Sequence, residues 1–257
     1  GKGDIAVGNV VGSNIFNVLF ILGASALIAP LVIHRQLVRQ EVPIMIGASV
    51  ILCVMALDGG IGRFDAALLA ALFVAYTVFL IVQSRRAGKE PDDAALAELP
   101  AASRWDRHWS VQVMLVVVGL VLLVVGANWL VDAAVEFARA LCVSDLVIGL
   151  TIVAAGTSLP EVATSIVATI RGERDIAVGN VVGSNIFNIL GVLGLSGLVG
   201  TNELQASSFV QDVDVPVMIL VATICLPVFF SGRNLMHRYE GFGFIVAYVL
   251  YVTYLVW

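Results

Sequence analysis

The sequence contains few charged residues. Asp, Glu, Lys and Arg make up 13% of its 257 residues, whereas ordinary soluble domains contain about 25%. Hydrophobic residues make up 60% of the chain and the mean hydropathy is +0.99, so too little polar sequence remains to cover a soluble particle of this size. The composition therefore excludes a cytosolic enzyme, a disulfide-rich secreted domain and a disordered chain, and it predicts an integral membrane protein.

Cysteine and histidine are also scarce. Cys53, Cys142 and Cys225 lie far apart within apolar stretches, which predicts small packing side chains rather than a disulfide framework or a metal cluster. The three histidines lie in or beside predicted loops. The sequence contains no recognisable nucleophile–base pair, phosphate-binding loop or basic nucleic-acid helix. We therefore expect no enzymatic activity, no cofactor and no nucleic-acid partner, and no obligatory protein partner is evident.

Apolar runs of about 20 residues, the length that crosses the hydrocarbon core of a bilayer, recur along the chain. The strict alternation typical of barrel strands is absent. The predicted fold class is an all-α, polytopic transmembrane helical bundle, with the lipid bilayer as its surroundings. The eight predicted spans are residues 5–31, 42–57, 65–83, 110–140, 145–170, 174–200, 210–230 and 241–257.

The distribution of Lys and Arg predicts the orientation of these spans. One side of the predicted topology holds three of these residues, namely Lys2, Arg63 and Arg139, and the other side holds eleven. Because basic residues remain cytoplasmic, the side with eleven, which includes the 84–109 loop, is predicted to face the cytosol. The eleven residues are Arg35, Arg39, Arg85, Arg86, Lys89, Arg104, Arg107, Arg171, Arg174, Arg233 and Arg238.

The chain contains an internal repeat. Residues 4–17 and 175–188 share the string DIAVGNVVGSNIFN, fourteen identities at an offset of 171, and a weaker echo aligns Val74-Ala75-Tyr76 with Val246-Ala247-Tyr248. The two copies begin the first and the sixth predicted spans, an odd step of five, so they enter the membrane from opposite faces. Inverted repeats of this kind are typical of secondary transporters that bind substrate near the membrane midplane. The alternative is a duplication retained only for folding.

Polar residues recur four apart in each copy, which places them on one helix face. Within the membrane, such groups either line a hydrated site or bond neighbouring helices. We favour a ligand role for Ser184 and Asn188 and leave Asn180 open between the two roles. The two polar triplets are Asn9, Ser13, Asn17 and Asn180, Ser184, Asn188.

Other residues of the repeated segment predict structural roles. Gly8, Gly12, Gly179 and Gly183 are expected to allow close approach of helices. Asp175 is expected to be a helix cap, because Asp favours N-caps and the helix is predicted to begin there.

The predicted span before the second copy contains Gly-Thr-Ser-Leu-Pro-Glu at 156–161. Pro160 is expected to break helical hydrogen bonding and free carbonyls around 154–157, while Thr157, Ser158 and Glu161 are expected to share a helix face. Glu161 is the only acid near the middle of any predicted span, and a charge there costs at least about 2.5–3.5 kcal/mol. An all-oxygen set of this kind is what Ca²⁺ and Na⁺ prefer.

With GTSLPE at 156–161 and GNVVGSNIFN at 179–188 and 8–17, the sequence resembles the cation/calcium exchanger superfamily, most closely its prokaryotic sodium/calcium exchangers. Asn188 matches a position where some members carry Asp, which leaves the coupling ion open. The resemblance implies cation ligands, with Ala154 contributing its carbonyl, at Ala154, Thr157, Ser158, Glu161, Ser184, Asn188, Ser13 and Asn17.

The family has ten helices with a GTS-x-PE string in each half. The offset of 171 places the counterparts of Thr157 and Glu161 before residue 1, so the resemblance implies that the first two helices precede this chain. The predicted organisation is the remainder of the first repeat in 1–83, a cytoplasmic linker in 84–109 and the second repeat in 110–257.

The resemblance and the residues together predict an antiporter that exchanges Ca²⁺ for Na⁺ by alternating access in a bacterial or archaeal plasma membrane. Ca²⁺ and Na⁺ would be its transported partners rather than cofactors. The alternatives are a Ca²⁺/H⁺ or K⁺-assisted exchanger, a cation channel, and a non-transporting fragment. The driving gradient separates the two exchangers, and flux without any counter-gradient would identify a channel.

Overall fold

Helices account for almost all of the computed structural model, which describes residues 2–87, 109–140, 154–200, 203–231 and 234–256. Two of the first helices contain π-helical turns. Helix α1 consists of Lys2–Phe16, the π segment Asn17–Leu22 and Gly23–Ile28, and α2 consists of the π segment Leu37–Glu41 and Val42–Ala56. They are followed by α3 (Arg63–Ala87) and α4 (Trp109–Ala140).

The second part of the chain repeats this pattern after two shorter helices. These are α5 (Ala154–Gly156) and α6 (Leu159–Ile170). Helix α7 consists of Arg174–Ile186, the π segment Phe187–Leu193 and Gly194–Val199. It is followed by α8, with the π segment Val210–Asp214 and Val215–Ser231, and by α9 (Arg238–Val256).

Six helices of the described ranges are long and apolar enough to cross a membrane, and each matches a predicted span. The predicted span 145–170 is different. Residues 145–153 lie outside the described residues, and the remainder is divided between α5 and α6. The last predicted span, 241–257, corresponds to α9, whose 19 residues begin at Arg238. The six helices are Ala6–Ile28, Leu37–Ala56, Arg63–Arg85, Trp109–Phe137, Arg174–Val199 and Val210–Phe230.

Two short antiparallel sheets join the two halves of the chain. Strand β1 (Leu31–Val32) pairs with β4 (Leu235–Met236), and β2 (Gly60–Ile61) pairs with β3 (Leu204–Gln205). Helix α2 separates β1 from β2, so the two sheets lie at opposite ends of the bundle. Because α1 leads into β1 and α7 leads into β3, the two copies of the motif run in opposite directions. The predicted inverted repeat is confirmed.

The repeat extends well beyond the identical motif. The Gly62 N–H donates to Asp65 Oδ2 at 3.0 Å at the start of α3, and the His237 N–H donates to Glu240 Oε2 at 2.7 Å at the start of α9. These matching hydrogen bonds show that α3 and α9, the last helices of the two copies, correspond at an offset of 175 residues. The predicted alignment of Tyr76 with Tyr248 is therefore wrong, because the loops between the helices lengthen the second copy.

The centre of the bundle is the contact between α1 and α7. Val7, Val11 and Ile15 of α1 are fully buried, as are their counterparts in α7, Val178, Val182 and Ile186. In contrast, none of the described side chains of α4 is buried. Helix α4 is therefore peripheral, and α1 and α7 form the core.

Arginine residues collect at the end of the bundle that holds β1 and β4. The His34 side chain beside β1 contacts Asp175 at the start of α7 at 3.2 Å, and Arg238 donates to the Ile28 carbonyl at 3.1 Å. These contacts bring the termini of several helices to this end, whereas Arg63 lies at the other. The arginines at the β1–β4 end are Arg35, Arg39, Arg85, Arg171, Arg174 and Arg238.

The glycines of the repeated motif were predicted to allow helices to approach closely, but the described residues show no such approach there. A Cβ atom at Gly12 or Gly183 would meet no described atom within 4 Å, and at Gly8 and Gly179 it would make ordinary contacts at 3.7 and 3.9 Å. That prediction is wrong for the described part of the chain, where these glycines face no tightly packed helix.

The tight contacts between helices lie after the repeated motif, at Gly194 of α7 and at Gly23 of α1. A Cβ atom at Gly194 of α7 would lie 2.7 Å from the Ala70 nitrogen of α3. A Cβ atom at Gly241 of α9 would lie 2.8 Å from the Gly23 carbonyl oxygen of α1. Both neighbouring atoms belong to the backbone, so glycine is required at these two related crossings.

We expect Gly194→Ala to destabilise the protein by about 1–3 kcal/mol, the usual cost of overpacking. Gly183→Ala is the matched control. It lies on the same helix in open space, and alanine favours a helix over glycine by about 1 kcal/mol. Thermal unfolding of the purified protein in detergent checks both variants. If Gly194→Ala melted at or above the parental temperature, the close contact between α7 and α3 would be ruled out.

Candidate cation site

Helices α1 and α7 bring polar side chains of the two copies together. Asn17 Nδ2 donates to Ser184 Oγ at 3.3 Å and to Asn185 Oδ1 at 2.9 Å. Asn188 Nδ2 donates to Asn14 Oδ1 at 3.1 Å. The predicted site residues Asn17, Ser184 and Asn188 therefore belong to one polar cluster, which spans the boundary between the inverted halves.

The GTSLPE segment forms a break between two helices. Helix α5 ends at Gly156 and α6 begins at Leu159, and the Ser158 N–H donates to the Ala155 carbonyl at 3.1 Å. Pro160 lies in the first turn of α6, where its missing N–H costs little. For the same reason Pro160 cannot donate to the Gly156 carbonyl, as predicted.

The predicted helix face that joined Thr157, Ser158 and Glu161 is wrong. Thr157 and Ser158 precede α6, so they do not follow helical periodicity with Glu161, and Thr157 is exposed whereas Ser158 is buried. The break directs Thr157 toward α1 instead. Its Oγ1 lies 3.4 Å from Ser13 Oγ and donates to Asn9 Oδ1 at 3.3 Å.

Two buried oxygen atoms near this cluster accept no hydrogen bond within the described part of the chain. They are Oε2 of Glu161, in the first turn of α6, and Oδ1 of Asn17, whose side chain is fully buried. Helix α6 packs against the π segment that begins at Asn17. A buried acceptor without a partner costs free energy. A cation bound at either oxygen would remove that cost there.

The remaining predicted site positions lie on the same elements. Ser13 is buried in α1, between Asn9 and Asn17 along the helix. Ala154 begins α5 at the edge of the described residues. Hydrogen bonds join Ser13, Asn17, Thr157, Ser184 and Asn188 to one another or to their close neighbours, and Glu161 follows on α6. That these residues bind cations remains a prediction.

Asn180 connects two helices. Its Nδ2 donates to the Glu161 carbonyl at 3.2 Å and to Ser165 Oγ at 3.0 Å. The side chain therefore attaches α7 to the first turns of α6. Of the two roles left open by the sequence, these contacts favour interhelical bonding.

Asp175 is not the cap of α7. The helix begins at Arg174 and the preceding residue is Glu173, so Asp175 lies inside the first turn. Its carboxylate instead faces His34. The prediction was wrong because the helix begins one residue earlier than the repeated string suggests.

Sequence reasoning missed Asn14 and Asn185, which are 1% and 2% exposed. Asn14 Nδ2 donates to the Asn185 carbonyl at 3.3 Å, and Asn185 Nδ2 donates to the Asn14 carbonyl at 3.2 Å. Both residues belong to the identical fourteen-residue string, but they lie off the helix face defined by a spacing of four. Their presence as intramembrane amides in both copies was the signal that could have identified them.

The chemistry of the cluster favours a hard cation. Its amide nitrogens donate to neighbouring side chains, and its remaining polar atoms among the described residues are hydroxyl, amide and carbonyl oxygens and one carboxylate. In the described ranges, no three His, Cys, Asp or Glu side chains come together as a metal-binding group. Zn²⁺ and Cu²⁺ prefer nitrogen and sulfur ligands, whereas Ca²⁺ and Na⁺ are satisfied by neutral and charged oxygens.

Known proteins share both the sequence and the fold. Inner membrane protein YrbG of Escherichia coli is 38% identical over 221 residues, 86% of this chain and 67% of the relative. Sodium/calcium exchanger MaX1 of Methanosarcina acetivorans is 32% identical over 283 residues, 98% of this chain and 79% of the relative. A solved structure of the sodium-calcium exchanger NCX_Mj matches with a TM-score of 0.78 and 29% identity, covering 97% of this chain and 76% of that one.

The family comparison agrees with these relatives. The family model described as sodium/calcium exchanger protein matches residues 1–82 and 111–257, which include both copies of the repeated motif and the GTSLPE segment. This match agrees with the apolar spans, the inverted repeat and the oxygen-lined cluster. The chain is therefore a multi-pass integral membrane protein that belongs to the sodium/calcium exchanger family.

Proposed function

We propose that this protein is a secondary active antiporter that exchanges Ca²⁺ for Na⁺ by alternating access. The observation that carries the proposal is the pair of buried acceptor oxygens, Glu161 Oε2 and Asn17 Oδ1, in a polar cluster between the inverted halves. The name of the relative MaX1, a sodium/calcium exchanger, supports the choice of ions.

Competition for one set of oxygens would couple the two ions. Glu161 supplies the negative charge that Ca²⁺ needs, and neutral oxygens replace the water that either ion loses. Ca²⁺ takes about 6–8 oxygen ligands, which a single carboxylate cannot provide. The proposed neutral ligands are Ser13, Asn17, Thr157, Ser158, Ser184, Asn188 and the carbonyl of Ala154.

The inverted repeat offers a route to alternating access. Helices α1 and α7 are tied to each other by buried amides, so we assign them to the fixed core of the transporter. Helix α4 is peripheral, and its Val131 lies beside Gly156 at the helix break. Rocking of peripheral helices against the core would open the site to each face of the membrane in turn.

We also propose that the protein lies in a bacterial or archaeal plasma membrane with the 84–109 loop in the cytosol. The cluster of arginines at the β1–β4 end supports this orientation, because basic residues remain on the cytoplasmic side. The name of the Escherichia coli relative, an inner membrane protein, supports the location.

Cysteine labelling in intact cells tests the orientation. In a background without the three native cysteines, we expect Ser103→Cys in the loop to react with an impermeant maleimide only after permeabilisation. Asp58→Cys, between α2 and β2 at the opposite end, should react in intact cells. The reverse pattern would overturn the assignment of the two faces.

Replacing Glu161 with Gln should abolish Na⁺-driven Ca²⁺ uptake in proteoliposomes. The amide keeps the shape of the side chain but removes the charge, and loss of one partner of a buried charge pair costs about 3–5 kcal/mol, or more than about 100-fold in affinity. Glu136→Gln is the matched control, because Glu136 is exposed on α4. It should leave uptake unchanged.

The same assay separates the alternative functions. Uptake should follow an imposed Na⁺ gradient and fail with K⁺ or pH gradients alone. Ca²⁺ flux that needs no opposing gradient would indicate a channel. Uptake by Glu161→Gln at the parental rate would exclude Glu161 as the central ligand.

Asn188→Asp should make Ca²⁺ uptake sensitive to pH or K⁺. The introduced carboxylate would face Asn14 Oδ1, which currently accepts from Asn188 Nδ2. A protonated carboxyl can donate to that oxygen and an ionised one cannot, and a second negative charge near Glu161 favours a proton or a further cation. Uptake measured against separate Na⁺, K⁺ and pH gradients should therefore differ from the parent. Identical ion dependence would place Asn188 outside the site.

A further inference from the structure

Asn14 and Asn185 lie at the centre of the molecule, and the proposed exchange assigns them no role. We propose that they are positioning residues, which determine which end of the Asn188 and Asn17 amides faces the ion. This inference rests on the proposed function, since it concerns the orientation of two proposed ligands. It explains why the amides of Asn188 and Asn17 would present their oxygen, rather than their N–H groups, to the ion.

The orientation of Asn14 and Asn185 is fixed by backbone carbonyls. Each side-chain Nδ2 donates to the carbonyl of the other residue, at 3.3 and 3.2 Å. A carbonyl oxygen can only accept, so the nitrogen end of each amide must face it. The thioethers of Met218 and Met45, also weak acceptors, lie beside the same nitrogens at 3.7 and 3.6 Å. The Oδ1 ends therefore point away from these carbonyls.

Those Oδ1 atoms then hold the nitrogen ends of the two proposed ligands. Asn14 Oδ1 accepts from Asn188 Nδ2 at 3.1 Å, and Asn185 Oδ1 accepts from Asn17 Nδ2 at 2.9 Å. An amide whose nitrogen is held leaves its oxygen for another partner. Asn17 Oδ1 is one of the two buried oxygens near the cluster that accept no hydrogen bond within the described residues. If the amide were turned, its N–H groups would face a cation and repel it.

These bonds cross between the inverted copies. Asn14 of α1 holds Asn188 of α7, and Asn185 of α7 holds Asn17 of α1. The offset of 171 relates each bond to its counterpart. Each half of the protein therefore orients a proposed ligand that belongs to the other half.

A comparison of Asn14→Leu in two backgrounds tests this role. Leucine has nearly the shape of asparagine but can neither accept nor donate. In the parent we expect about a tenfold loss of apparent Ca²⁺ affinity, the size of effect expected when a buried polar partner is removed, with little change in turnover at saturating Ca²⁺. In the Asn188→Asp background we expect no loss, because a carboxylate has two oxygens and no N–H end to misplace.

Ser49→Ala controls for the loss of a buried polar group. Ser49 is buried in α2 and its hydroxyl donates only to the Met45 carbonyl of its own helix among the bonds described, so Ca²⁺ affinity should not change. An equal loss of affinity for Asn14→Leu in both backgrounds would overturn the proposal. So would unchanged affinity in a destabilised but folded protein, since Asn14 would then only join the helices.

Two further measurements keep the outcome decisive. If Asn14→Leu does not fold, Asn185→Leu with and without Asn17→Asp tests the related half of the network, with the same expectations. Ca²⁺ binding by the parent, displaced by Na⁺, tests the proposed function separately. A parent that binds neither ion contradicts the exchange itself, whereas a parent that binds both, with no coupling between positions 14 and 188, contradicts only the positioning role.

Discussion

Within a membrane, buried amides, hydroxyls and carboxylates cannot be satisfied by bulk water. This constraint decides the arrangement where α1 crosses α7. Asn14 and Asn185 satisfy each other's backbone carbonyls, and through their oxygens they satisfy the nitrogens of Asn188 and Asn17. The crossing is therefore a closed network on its nitrogen side. On its oxygen side at least one acceptor, Asn17 Oδ1, is left without a donor among the described residues, and we propose that a transported cation binds there.

The two sheets maintain this crossing from a distance. Each pairs a strand of the first half with a strand of the second, at opposite ends of the bundle. Because the halves are inverted, each sheet lies beyond the carboxyl end of a helix that carries one copy of the motif. Backbone contact at Gly194 and Gly241 fixes the outer helices in the same symmetric way. Contacts outside the site thus set the position of α1 relative to α7, and this position determines which polar side chains of the two helices meet.

Much of this arrangement could be predicted from the sequence, because it depends on composition and on identity between the copies. The fourteen shared residues and the odd step from the first to the sixth span were enough to predict the inversion, and the cost of an intramembrane charge was enough to select Glu161. The π segments, the start of α6 after Ser158 and the packing glycines were not predictable. Asn14 and Asn185 lie in regular α-helical turns, and they were overlooked because a spacing of four selects a single helix face.

The balance of charge in the cluster bears on how an exchanger could release its ions. Glu161 is the one carboxylate of the cluster among the described residues, and the counterpart that the resemblance places before residue 1 would add a second, so most of the proposed ligands are neutral oxygens. A transport site must bind each ion well enough to take it up and weakly enough to let it leave. Asparagine at 188 keeps the negative charge low, and its amide can contribute only if the oxygen end faces inward. Because most of the proposed ligands are neutral, the orientation of their dipoles has a large share in deciding which cation remains bound.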